Sequence, residues 1–164
     1  MCILFAFLYT TCLSYLGLGD VLVVVFFGLV PVGGTWFLMS QTLPREVLLL
    51  GFISGISIDA LLVVNNYRDR HQDKLSGKQT LVVRLGERFG SLHYLGIGVL
   101  TSLLAVLLGV RLLPAAAIYL WLHVRAWQAM VRIHEGKALN AILGQTSRNM
   151  FILAVLLSVS LLFC

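Results

Sequence analysis

Long stretches without any Asp, Glu, Lys or Arg constrain the fold of this 164-residue chain more than any other feature. Residues 1–19, 21–39 and 91–110 are uncharged throughout. A helix of about 19 residues is about 28 Å long, close to the thickness of the hydrocarbon layer of a membrane. Charged residues make up 12% of the chain, whereas they are about a quarter of an ordinary soluble domain. A soluble globular domain is therefore excluded, and the sequence indicates an integral membrane protein.

The apolar residues group into six segments that are long enough to be membrane helices or large parts of them. An open β-sheet cannot hydrogen-bond its edges in lipid, and these segments lack the alternation of a strand, so helices are the only suitable spanning structure. We therefore predict an all-α, multi-pass transmembrane bundle and a single membrane domain over residues 1–164. The predicted spans are residues 1–16, 21–39, 47–64, 91–110, 112–130 and 149–163.

Lys and Arg residues lie mainly on one side of the predicted bundle. Nine of them fall in the connections 65–90 and 131–148, and only Arg45 and Arg111 fall on the other side. The positive-inside rule places the nine-residue side in the cytoplasm. The net charge of +5 is thus explained by orientation and by anionic lipid headgroups, so we expect a bilayer and not nucleic acid as the partner. The three cysteines form no CxxC pair, which argues against a disulfide framework or a zinc site.

Nine of the chain's 19 charged residues lie between residues 68 and 88, so this loop is the candidate site. If the third helix continues past residue 64, Asp69 and Asp73 are one turn apart and about 40° apart around its axis. Asn65 and Asn66 lie one turn earlier. Carboxylate and amide oxygens suit Mg²⁺, which proteins commonly bind together with substrate phosphates. Four nearby side chains could donate to phosphate oxygens: Arg68, Arg70, Lys74 and Lys78.

Gly77 could end this helix in a left-handed conformation, so that Lys78 and Thr80 fold back over a ligand. The competing hypothesis is that Asp69 and Asp73 only form ion pairs with nearby basic residues on a solvated connector. The direct continuity of the two asparagines with a membrane helix favours the ligand site.

Three polar residues within or near the spans are more ambiguous. Asp59 lies at membrane depth, where an ionisable group suggests function but could also be protonated or paired within the bundle. His93 and His123 lie near the ends of predicted spans, and we expect both at the membrane interface.

The segment 65–90, NNYRDRHQDKLSGKQTLVVRLGERFG, resembles the second aspartate-rich motif of the UbiA superfamily of membrane prenyltransferases. It is most similar to the menaquinone-pathway branch, the dihydroxynaphthoate polyprenyltransferases (MenA type), whose pattern is NNxRDxxxDxxxGKxTLxVRLG. Every fixed position of that pattern is filled. Residues 13–37 also resemble the family's connection into its fifth helix.

The resemblance implies a nine-helix bundle whose central cavity holds a Mg²⁺-bound polyprenyl diphosphate between two aspartate-rich motifs. It implies that Asp69 and Asp73 are the catalytic, metal-binding carboxylates. It also implies that Asn66 contacts the metal or the diphosphate. Three basic residues, Arg68, Lys74 and Lys78, would contact the diphosphate. Asp20 and Tyr15 would lie near the donor or the aromatic acceptor.

The family's first motif, NDxxDxxxD, is not in the sequence. The chain is therefore expected to be the C-terminal two-thirds of such an enzyme, with about six of nine spans, and to have little or no activity alone.

The activity implied by the resemblance is transfer of a polyprenyl group to 1,4-dihydroxy-2-naphthoate with decarboxylation, giving demethylmenaquinone at the cytoplasmic face of the bacterial inner membrane. Alternatives are a relative with another acceptor, such as 4-hydroxybenzoate or a chlorophyll or haem precursor, and a non-catalytic membrane subunit or transporter. The paired asparagines and the GKxTLxVRLG sequence favour the naphthoate branch.

Overall fold

The computed structural model describes residues 18–163, so the predicted first span, residues 1–16, and Tyr15 lie outside the described residues. Within the described range the chain is helical and contains no strand, which confirms the all-α prediction. Short 3₁₀ turns, Val110–Leu112 and Lys137–Leu139, precede the last two helices. The helices are α1 (Gly19–Ser40), α2 (Arg45–Leu75), α3 (Leu81–Leu85), α4 (Glu87–Leu108), α5 (Leu113–Ile133) and α6 (Asn140–Leu162).

Four segments of the described chain are long and apolar enough to cross a membrane: α1, α2, α4, and α6 together with its preceding turn. The predicted fifth span is also a helix, α5, but it is not among these four. Helix α6 begins at Asn140 rather than at residue 149. Polar side chains in its first turns lower the local hydropathy, yet none of them interrupts the backbone hydrogen bonds, so hydropathy alone predicts too short a helix.

Helices α1 and α2 approach so closely that their backbones touch. A Cβ atom on Gly28 would lie 2.5 Å from the Gly55 Cα atom, and one on Gly55 would lie 2.5 Å from the Val24 carbonyl oxygen. Helix α1 includes a π-helical segment, Val24–Leu29, at this crossing. The close crossing of α1 and α2 therefore depends on Gly28 and Gly55, because neither position has room for a side chain.

Helix α2 lies at the centre of the described bundle and packs against α1, α4 and α6. Its second half contributes Val63, Val64 and Tyr67 to one apolar cluster, which also includes Tyr94. Ile53, nearer the start of α2, belongs to a second cluster with residues of α4, α5 and α6. Because these two clusters hold α2 along its length, they fix the position of its C-terminal end.

His123 is completely buried between α4 and α5, so its expected position at the membrane interface is wrong. Its ring stacks on Tyr94 at 4.2 Å between centroids, and its Nε2 donates to the Tyr94 carbonyl oxygen at 2.7 Å. Gly98 provides the space for the ring, because a side chain there would collide with it. The hydrogen bond and the stacking offset the cost of burying a polar ring.

Candidate functional site at the end of the second helix

The candidate site lies where α2 continues past its apolar part, as the sequence predicted. The helix ends at Leu75, and Gly77 takes a positive φ of 79°. The Lys78 N–H then donates to the Asp73 carbonyl oxygen at 2.9 Å, so the chain turns back against the helix. The left-handed turn at Gly77 is therefore confirmed.

Asp69 forms a two-pronged ion pair with its neighbour Arg68. The Arg68 Nε and Nη2 atoms donate to the two carboxylate oxygens at 2.7 and 2.6 Å. Arg68 also donates through Nη1 to the Asn140 side-chain oxygen at 2.6 Å, which links this turn of α2 to the start of α6. The Asp69 side chain keeps 39% of its surface exposed, so it remains accessible.

Asp73 is paired in a different way, through the turn that follows the helix. Lys78 Nζ donates to Asp73 Oδ2 at 3.3 Å, and the Asp73 side chain is 13% exposed. Lys74 is exposed and has no ion pair within the described part of the chain. Asn66 is buried one turn before the first of the two carboxylates. The structure thus holds both carboxylates and two of the predicted phosphate donors at one end of α2.

Arg70 has a structural position that the sequence did not predict. Its buried guanidinium donates to the carbonyl oxygens of Tyr67 at 2.8 Å and His134 at 3.2 Å, and to Glu87 Oε2 at 3.1 Å. The same group lies 4.8 Å from the centroid of the Tyr67 ring. Arg70, expected to donate to phosphate, instead ties α2 to the start of α4 and to the loop after α5.

A second group of ionisable side chains lies deeper in the bundle. Asp20 of α1, Asp59 of α2 and His93 of α4 each offer a ligand atom, and these atoms all lie within 4.8 Å of one another. The sequence singled out the two aspartates separately. His93 was expected at the membrane interface, and only its packing against the other two helices reveals the group.

Comparison with known proteins identifies the family. The profile described as "UbiA prenyltransferase family" matches residues 1–155. The chain is similar to the 1,4-dihydroxy-2-naphthoate octaprenyltransferases of Haemophilus influenzae, with 44% identity over 81 residues, and Escherichia coli, with 47% over 74 residues. It is also similar to the 2-carboxy-1,4-naphthoquinone phytyltransferase of Synechocystis, with 30% identity over 98 residues. No solved structure matches significantly.

These alignments cover 49%, 45% and 60% of this chain but only 26%, 24% and 32% of the respective relatives. The chain thus matches about a quarter to a third of each relative's length, and the family profile extends over nearly all of the chain. This chain belongs to the UbiA prenyltransferase family.

Proposed function

We propose that residues 1–164 are part of a single membrane domain that transfers a polyprenyl group from a polyprenyl diphosphate to 1,4-dihydroxy-2-naphthoate. Loss of the acceptor's carboxyl group as carbon dioxide, with diphosphate as the leaving group, would give demethylmenaquinol, the reduced form of demethylmenaquinone. The observation that carries this proposal is the end of α2, where the complete NNxRDxxxDxxxGKxTLxVRLG pattern places two carboxylates beside two cationic side chains. The names of the relatives support the choice of substrates.

The donor atoms at this site are compatible with Mg²⁺. Asp69 and Asp73 would supply carboxylate oxygens one helical turn apart, and Asn66, buried on the preceding turn, would supply an amide oxygen. The partial exposure of both carboxylates leaves room for water and phosphate oxygens as further ligands. When bound, Mg²⁺ would offset the negative charge of the diphosphate and of the group that departs.

The basic residues would hold the diphosphate and stabilise the charge that develops on it as the allylic bond breaks. Arg68 and Lys78 already lie within 3.3 Å of carboxylate oxygens and could exchange these partners for phosphate oxygens. Lys74 is exposed on the same turn of α2 and would add a third cation. Asp20, together with Tyr15, would lie near the donor or the aromatic acceptor.

The proposed location is the bacterial inner membrane, with this site at the cytoplasmic face. Four long apolar helices support insertion in a membrane. The orientation follows from the concentration of Lys and Arg in the connections 65–90 and 131–148.

We further propose that this chain alone has little activity. Its sequence lacks an NDxxDxxxD motif, so it does not supply the three carboxylates that this motif would place around the diphosphate. The proposal can therefore be tested with the chain expressed both alone and as a fusion behind the N-terminal segment of the Escherichia coli relative.

The assay measures prenyl transfer in membranes of a strain that has no dihydroxynaphthoate prenyltransferase of its own. We expect Mg²⁺-dependent product from the fusion with dihydroxynaphthoate, no product with 4-hydroxybenzoate, and little product from the chain alone. A fusion that is present in the membrane but inactive, while the intact relative is active, would contradict the proposed activity. Product only with 4-hydroxybenzoate would support the alternative acceptor.

A further inference from the structure

Three membrane helices bring together two carboxylates and an imidazole at one point in the bundle. The ligand atoms of Asp20, Asp59 and His93 lie within 4.8 Å of one another, and His93 Nδ1 lies 3.9 Å from Asp20 Oδ1. Asp59 is ten residues before Asp69 on α2, a rise of about 15 Å along the helix. This group is therefore separate from the proposed diphosphate site.

Asp59 is the most unusual member, because it is 4% exposed and its Oδ1 atom has no hydrogen-bond partner. His93 Nδ1 is also buried without a hydrogen bond. A buried polar atom normally has a partner, and a buried carboxylate normally has a cation or several donors. Both unsatisfied atoms belong to residues of the same group, the one whose ligand atoms lie close enough together to hold an ion.

Within the described residues, no Lys or Arg supplies the cation that the buried Asp59 carboxylate and the partly buried Asp20 carboxylate would need. Within residues 18–163 neither Asp20 nor Asp59 forms an ion pair with Lys or Arg; the ionisable side chain that lies nearest Asp20 in the described contacts is His93, at 3.9 Å. Residues 1–17 contain no Lys, Arg or His. A bound divalent cation would neutralise both carboxylates and would also satisfy the two buried atoms.

We propose that Asp20, Asp59 and His93 bind one divalent transition-metal ion of the Zn²⁺ type and thereby join α1, α2 and α4. Metal–ligand distances of about 2.1 Å place the ligand atoms of a tetrahedral ion about 3.4 Å apart. The present separations, all within 4.8 Å, would have to shorten on binding, which side-chain rotations can achieve. An imidazole ligand favours Zn²⁺ or Co²⁺ over Mg²⁺. Three protein ligands leave a further coordination position for water. This proposal does not depend on the proposed transferase activity.

The test uses the purified chain in lipid nanodiscs and Co²⁺ as a spectroscopic substitute for Zn²⁺. After dialysis, metal analysis should give one Co²⁺ per chain, with the visible absorption of a low-symmetry site. Asp59→Asn and His93→Gln should each weaken binding by at least about tenfold. The matched control, His71→Gln, changes an exposed histidine of α2 and should bind as the unchanged chain does.

Two further variants make the result independent of folding defects and of the proposed function. His93→Cys should retain Co²⁺ and add a sulfur-to-cobalt charge-transfer band, which only direct coordination produces. The double variant Asp69→Asn with Asp73→Asn should retain Co²⁺ while the corresponding fusion loses prenyl transfer. Absence of stoichiometric Co²⁺ in the unchanged chain, or a spectrum that His93→Cys leaves unaltered, would overturn the metal site.

Discussion

The chain places pairs of aspartates in two contrasting environments. The outer pair, Asp69 and Asp73 at the end of α2, has 39% and 13% of its side-chain surfaces exposed, and each residue has a cationic partner within 3.3 Å. Inside the bundle, Asp20 and Asp59 have no Lys or Arg partner among the described residues. An ion pair at an exposed helix end contributes little energy and exchanges partners easily. The buried carboxylate of Asp59 in this inner pair, Asp20 and Asp59, has no such freedom and requires a bound ligand or a proton.

The largest expected effect tests the outer pair. Asp69→Ala and Asp73→Ala should each lower prenyl transfer by the fusion by at least about 10²-fold, because each change removes electrostatic stabilisation of the departing diphosphate. Thermal unfolding should change little, since partly exposed ion pairs contribute about 0–1 kcal/mol. His71→Ala, at a neighbouring position with a 74% exposed side chain, is the control. Full activity in both aspartate variants would remove the catalytic role.

The next effect concerns the close packing of α1 against α2, which brings Asp20 and Asp59 together. Gly55→Ala places a Cβ atom against the Val24 backbone and should force α1 away from α2, at a cost of about 1–3 kcal/mol in the free energy of unfolding. Co²⁺ binding should weaken, because Asp20 and Asp59 lie on these two helices.

Gly34→Ala in α1 is the matched control, because no atom lies within 4 Å of its added Cβ. Its stability should be unchanged or higher, since Ala favours a helix by up to about 1 kcal/mol over Gly. Thermal denaturation of both purified variants makes the comparison. Equal stability of the two would contradict the close α1–α2 packing.

A smaller effect compares two lysines at the outer site. Lys78 pairs with Asp73 at 3.3 Å, whereas Lys74 is exposed and unpaired in the described structure. Lys78→Ala should raise the KM for the polyprenyl diphosphate about tenfold, as expected for loss of a charge-assisted hydrogen bond. Lys74→Ala should raise it less. Steady-state kinetics at saturating acceptor measures both KM values. A larger increase for Lys74→Ala than for Lys78→Ala would show that the turn at Gly77 does not position Lys78 for the diphosphate.

The smallest effect concerns the short helix that follows this turn. Thr80 Oγ1 accepts a hydrogen bond from the Val83 N–H at 3.3 Å and so caps α3. Thr80→Ala should lower the free energy of unfolding by about 1 kcal/mol, whereas Thr80→Ser should retain most of it. Co²⁺ binding by Asp20, Asp59 and His93 should be the same in both variants, because α3 contributes none of these residues. Denaturation measures the free energy of unfolding, and dialysis followed by metal analysis measures Co²⁺ binding.

Several features were predictable because they depend on neighbours in the chain. Apolar length predicted α1, α2 and α4, and Gly77 predicted the turn that follows Asp73. The start of α6 was not predictable from hydropathy, because its first turns are polar but remain helical. The burial of His123 was also missed, since the space it occupies is created by Gly98 on another helix.

The sequence by itself determined that the chain is a helical membrane protein, and its motif predicted two carboxylates and several cations at the end of one helix. Both depend on residue type and on spacing along a helix, which are local properties. Only the tertiary structure decided that Arg70 serves packing rather than phosphate binding, and that Asp20, Asp59 and His93 meet. These residues are far apart in the chain, and their distances depend on how closely α1, α2 and α4 pack.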